Sequence, residues 1–217
     1  MIFALAGFAF AVGTTASPPQ RQLNSLMGNW ISECQPIGKD GRHGIITRVN
    51  LADGQIEAET KMFATSECKA LVLKVNYRGT ATIQQSDNGP ASIIHTVHQI
   101  DFTPQAPDVV AQYNLGDDHG CGLDGWRINV PKSVAGRRCN PFSFPTKGTT
   151  LFDSAWIDGN GLRFGAFPMI WTNTTADRRP NDAFTRNIPS RRKLSIVQSD
   201  HDNQAFSSYR SSCDCRT

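Results

Sequence analysis

The sequence lacks any apolar run long enough to cross a bilayer, the uncharged first sixteen positions included, although 39% of its 217 residues are hydrophobic. A spanning helix needs about 20 such residues in succession, so none is expected in the mature chain. There is no Gly-x-Ser-x-Gly elbow, no glycine-rich phosphate loop and no His-Glu-x-x-His pair. Common hydrolase, nucleotide-binding and zinc-protease signatures are therefore missing. Nothing nominates a nucleophile with a base and an orienting group, and the chain reads as a non-enzyme with no cofactor. The net charge of +3 is too small to imply nucleic acid, and no interleaving of aromatic and basic residues supports it. No segment has a clear helical period, which leaves an all-β reading.

What the sequence does contain is alternation. From Lys69 to Gln84, Leu71, Leu73, Val75, Tyr77, Ala81 and Ile83 alternate with Lys74, Asn76, Arg78, Thr80, Thr82 and Gln84. Successive side chains of a strand point to opposite faces, so this is a long antiparallel strand with one side on an interior and one on solvent. It turns out through Asp87-Asn88-Gly89-Pro90. Before it, Ile45, Val49 and Leu51 share one face, Ile56, Ala58 and Met62 another, and Ala52-Asp53-Gly54 joins them as a hairpin. After it, Ala91 to Thr103 carries apolar residues at both parities, the mark of a strand buried on both sides or bulged. Val109 to Leu115 reads as a short strand. Thr149 to Ile157 is expected to point Phe152 and Trp156 inward, to turn at Asp158-Gly159-Asn160-Gly161, and to return with Leu162, Phe164 and Ala166 inward. About eight strands result. Closure removes their edges and leaves room for one small ligand, so the expected fold is a closed or half-open antiparallel barrel.

Residues 1–16 are uncharged and dominated by Phe, Ala, Leu and Val, with Thr14 and Ala16 placed for signal-peptidase cleavage. The product is expected to be secreted and extracellular, with a polar leader at 17–25, one domain at 26–194 and a disordered Ser-, Asp- and Asn-rich tail at 195–217. In that compartment six cysteines read as bridges, Cys34 with Cys68 and Cys121 with Cys139, leaving Cys213 and Cys215 in the tail. None of the four forms a Cys-x-x-Cys pair and no His lies at finger spacing, so no metal is expected. His95 and His98 fall on opposite faces of a strand, as partly exposed side chains. Asp117-Asp118-His119 reads as a solvated loop. Asn173-Thr174-Thr175 is a glycosylation acceptor, expected on an exposed loop. Arg178 to Lys193 holds six basic residues and one acid, Asp182.

Several landmarks then fall in one order. Gly28-x-Trp30-x-Ser32-x-Cys34 comes first, followed by Thr47-Arg48. Ser66-Glu67-Cys68 precedes the long strand, which runs to Arg78-Gly79. Cys121-Gly122 with Trp126, Cys139, and Asp177-Arg178-Arg179-Pro180 complete the series. The Gly-x-Trp start resembles the lipocalin entrance, and the whole order, from about Leu26 to Leu194, resembles the β-barrel domain of the adenomatosis-polyposis-coli-down-regulated (APCDD-type) extracellular Wnt inhibitors. The resemblance implies a lipocalin-like barrel whose interior takes a lipid, or the acyl group of a lipid-modified signalling protein such as Wnt. The expected pocket residues are Trp30, Phe63, Leu71, Leu73, Val75, Phe152, Trp156 and Phe164, with Arg78, Arg178 and Arg179 at the mouth for a headgroup. The alternative is an extracellular structural or protein-interaction module whose barrel is filled by its own side chains; the interior volume separates the two.

Overall fold

The difference between the two faces of each strand decides the architecture. The protein is seen as a computed structural model that describes residues 26–86, 89–116, 119–140, 142–158, 161–168, 171–182 and 190–192. The strands are β1 (Gly28–Ile31), β2 (Gln35–Ile37), β3 (His43–Ala52), β4 (Gln55–Phe63), β5 (Leu71–Gln84) and β6 (Ala91–Pro104). After the helix α1 (Pro107–Tyr113) come β7 (Lys132–Ser133), β8 (Arg138–Cys139), β9 (Phe142–Ser143), β10 (Thr150–Asp158), β11 (Gly161–Phe164) and β12 (Ser190–Arg192). Seven of them, β1, β3, β4, β5, β6, β10 and β11, wrap antiparallel into a nearly closed barrel, with β12 lying between β11 and β1. The all-β, disulfide-stapled barrel expected from the sequence is the observed one.

The parity read from β5 holds. Leu73 and Tyr77 are buried, Val75 lines the interior, and Lys74, Asn76 and Arg78 lie on the other face. The inward set of β4 is Ile56, Ala58, Thr60 and Met62, and that of β3 is Ile45, Val49 and Leu51. On the outer face Arg48, Asn50, Glu57, Glu59, Asn76, Arg78 and Asp101 line a polar concavity of about 540 Å³, in which Arg78 meets Glu57 at 3.4 Å. Burying Leu51 or Ile56, both 0% exposed, contributes about 1.5–3 kcal/mol each.

The double parity of β6 is a bulge. Arg78 of β5 pairs with Gln99 and Gly79 with Val97, so His98 is the extra residue. Before it Ala91, Ile93, His95 and Val97 point inward; after it Ile100 and Phe102 do. Gly79 is required at this kink, because a side chain there would collide with the Thr96 carbonyl oxygen.

Three expectations need correcting. The segment from Val109 is helical: Pro107 occupies the first turn with Asp108, and Val110 and Tyr113, three apart, present one face to the core. Its adjacent valines read as strand, but Pro107 and the surrounding contacts decide otherwise. On β10 the buried residues are Leu151, Asp153 and Ala155, so Phe152 and Trp156 lie on the outward face, half-buried. His95 is not partly exposed; it is 2% exposed. The hairpin after β10 returns as expected, with Leu162, Phe164 and Ala166 buried.

Both disulfides form as expected, Cys34 with Cys68 and Cys121 with Cys139. They sit at the same end of the barrel, where β3 begins, β4 ends and β5 begins. The expected leader, cleavage site, tail and Cys213-Asp214-Cys215 lie outside the described residues. No described helix is long and apolar enough to cross a membrane.

Candidate ligand-binding site

The two ends of the barrel differ. At one, Trp30 sits in the core, paired with Val49 of β3, and its ring N–H donates to the Leu26 carbonyl oxygen at 2.9 Å. An indole is large enough to fill a barrel end, and its single donor needs a partner when buried. The Trp30 of the Gly-x-Trp motif is therefore a packed core residue, and it lines neither cavity described below.

In mid-barrel the interior narrows to an apolar cavity of about 40 Å³, walled by Ile45, Ala58, Met62 and Val75 and crowded by aromatic rings. Tyr77 packs edge-on against Phe167 at 5.1 Å and stands 5.6 Å from Trp171; Phe144 stands 5.7 Å from Trp171 and 5.2 Å from Phe102. Edge-to-face contacts of this kind add about 0.5–1.5 kcal/mol beyond area burial. The polar handle of this cluster is Tyr77, whose hydroxyl lies 2.7 Å from Nδ1 of His95. Burial pushes the Tyr77 phenol up and holds His95 down at about 4, so the pair is neutral at physiological pH.

Toward the disulfide end lies a vestibule of about 450 Å³ between the barrel rim, α1 and the Cys121–Cys139 bridge. Its polar lining is uncharged or imidazole: His43, Gln112, Tyr113, His119 and Asn140. Burial raises the Tyr113 phenol to about 12. Met62, Phe102 and Phe142 line both spaces, which makes vestibule and interior neighbours.

A buried carboxylate shapes the far wall. Asp153, 0% exposed, accepts from the backbone N–H groups of Ser154 at 2.7 Å, Ala166 at 2.9 Å and Phe167 at 2.9 Å. Desolvation raises its pKa, and these bonds oppose the rise. The anchored turn aims Phe167, and beyond it Trp171, into the barrel. Pro180 closes over the turn: Ser154 Oγ donates to its carbonyl at 2.7 Å, and a side chain on Gly165 would strike the Pro180 ring.

The residues expected to form the pocket are partly separated by the fold. Leu73 lines the vestibule and Val75 the interior. Leu71 is half-buried at the rim, and Phe63, at the parity opposite to Met62, lines neither space. Phe164 is core, 5.5 Å from Phe167. Phe152 faces outward beneath Arg179, whose guanidinium lies 5.7 Å from the ring. Arg178 is exposed and Arg78 belongs to the outer polar face, so the structure brings none of the three arginines to the vestibule. The side chain of Asn173 is also elsewhere than expected. Asn173 is 3% exposed, its amide N–H donates to the Phe152 carbonyl at 2.8 Å, and its own carbonyl receives the Phe152 N–H at 2.8 Å. The loop docks as an extra edge along β10, which buries the acceptor.

Tyr77, Met62, Phe102, Phe142, Phe144, Phe167 and Trp171 were not among the expected pocket residues. Tyr77 and Met62 share faces with expected inward residues and were findable by parity. Phe144, Phe167 and Trp171 come from irregular chain, where no period marks direction.

Among the described residues no three or more His, Cys, Asp and Glu side chains gather into a metal site. No protein-family model matches the chain, and no curated protein matches it either. The likeness to lipocalin-like proteins is one of architecture: a nearly closed antiparallel barrel, held by disulfides, around an apolar interior.

Proposed function

We propose that the protein is a secreted, non-enzymatic binding module that takes the acyl chain of a lipid or of a lipid-modified protein through the disulfide-framed end of its barrel. The observation that carries this reading is that the apolar interior and the vestibule lie side by side, with Met62, Phe102 and Phe142 lining both. A space of about 450 Å³ falls within the range of small-ligand sites. Each methylene removed from water there would gain about 0.8 kcal/mol. Two disulfides fit an oxidising, extracellular compartment. The APCDD-type order of landmarks extends the reading to sequestration of a lipidated signalling protein such as Wnt.

A second reading draws on the narrow waist: about 40 Å³ holds no long acyl chain as it stands. Under it the barrel is filled by its own aromatics and acts through its surface. Native mass spectrometry of protein purified from secreting cells separates the two. A co-purifying lipid supports the first; naked protein that also fails to take up a fluorescent fatty acid overturns it in favour of the second.

A further inference from the structure

We infer that Phe142 is the residue that decides whether an apolar chain passes from the vestibule into the barrel. The inference rests on the acyl-binding reading above and adds a gate to it.

Three residues line both spaces, but they differ in how they are held. Met62 belongs to β4 and Phe102 to β6, wall strands hydrogen-bonded to neighbours on both sides. Phe142 belongs to β9, which pairs with β8 in a separate two-stranded sheet. That hairpin closes on itself: Phe144 N–H donates to the Arg137 carbonyl at 2.9 Å, and Gly136 N–H to the Pro145 carbonyl at 2.8 Å. Glycines at positive φ flank it, Gly136 at 74° and Gly148 at 87°, where the backbone bends without a Cβ penalty. Cys139 ties its first strand to Cys121 on the vestibule wall.

The two aromatics of the hairpin differ as well. Phe144 is buried, edge-on to Phe102 and near Trp171, and anchors the hairpin's inner end. Phe142 is half-buried, 6.2 Å from Phe144, and borders both the 40 Å³ interior and the 450 Å³ vestibule. A chain of about a dozen carbons cannot occupy the smaller space with Phe142 in place. Rotating or lifting that one ring joins the spaces, while the disulfide and Phe144 keep the hairpin attached. Phe142 thus sets both the speed of uptake and how much of the chain leaves the vestibule.

The test is stopped-flow uptake of cis-parinaric acid by the full chain with its disulfides intact, with circular dichroism confirming the fold of each variant. Phe142→Ala should accelerate uptake about tenfold, Phe142→Trp should slow it by a similar factor, and Leu115→Ala, at a site 72% exposed, should leave it unchanged. Phe142→Leu substitutes if the alanine variant does not fold, with a smaller acceleration expected. Wild-type uptake that is unaffected by the Phe142 series would overturn the gate and leave the acyl-binding reading standing. Folded wild-type and Phe142→Ala proteins that both ignore the probe would overturn that reading and the gate with it.

Discussion

The hydroxyl of Tyr77, on β5, and Nδ1 of His95, on β6, lie 2.7 Å apart inside the barrel, walled by Phe167 and Trp171. The contact joins the two longest strands across the bulge at His98, and it ties the stability of the barrel interior to a titratable group.

Burial holds His95 at about 4 when folded, against about 6.5 for an exposed imidazole. Between those values the unfolded chain binds more protons than the folded one, so stability rises with pH across the window and is lost on acidification. The full swing is about 3 kcal/mol. Asp153 works in the opposite sense, because its folded pKa is raised and protonation in its range favours the folded state. The comparison must therefore be between variants. His95→Gln should flatten the loss of stability from about pH 6.5 to 4 in chemical denaturation; an unchanged pH profile would show that His95 is not the group responsible.

Asp153 should be among the most sensitive positions in the chain. Its carboxylate satisfies three backbone N–H groups at the turn that orients Phe167, and each buried donor left without a partner costs about 1–3 kcal/mol. Asp153→Ala should lower stability by about 3–5 kcal/mol. Asp153→Asn should cost less, since one amide oxygen still accepts. Thermal unfolding followed by circular dichroism checks both; an alanine variant within 1 kcal/mol of wild type would refute the anchoring role.

Asn173 should carry no glycan in the folded protein. The nitrogen to which a sugar would attach is buried and donates to Phe152. Protein from a glycosylating host should show no mobility shift with an N-glycosidase, and Asn173→Ala should cost about 1–2 kcal/mol through the orphaned Phe152 carbonyl. A shift on enzyme treatment would mean that this loop is not docked when the chain is modified.

The sequence made the barrel legible where one face of a strand is wet and the other dry. Lys74, Asn76 and Arg78 against Leu73, Val75 and Tyr77 define the two faces of β5, and pairing the four cysteines in sequential order anticipated both bridges. Legibility failed where tertiary contacts outweighed the apparent pattern. On β10 the heavy aromatics Phe152 and Trp156 look inward by hydrophobicity, yet Leu151, Asp153 and Ala155 hold the inner positions. The interior there is occupied by Phe167, whose backbone Asp153 anchors, and by Trp171 from further along the chain. The β6 pattern became readable once one residue, His98, was taken out of register. The candidate site was the least legible part, because Phe142 and most of the other aromatic lining come from short or irregular segments, tied down by Cys139 and Asp153.

Leu73 and Lys74 offer a matched test of the binding face, being neighbours on β5 with opposite directions. Leu73 is 5% exposed and lines the vestibule, while Lys74 lies on the outer side of the same strand. If an acyl chain lies along the inner face, Leu73→Ser removes apolar contact at about 0.8 kcal/mol per methylene lost and sets a hydroxyl against the chain. Affinity for a fluorescent fatty acid should fall at least tenfold, with circular dichroism confirming that the barrel persists. Lys74→Ser removes a charge and shortens the side chain even more sharply but touches solvent, and affinity should stay within about twofold. A larger loss from Lys74→Ser than from Leu73→Ser would place the ligand on the polar outer face near Arg78 and Glu57, and the interior would then be structural core.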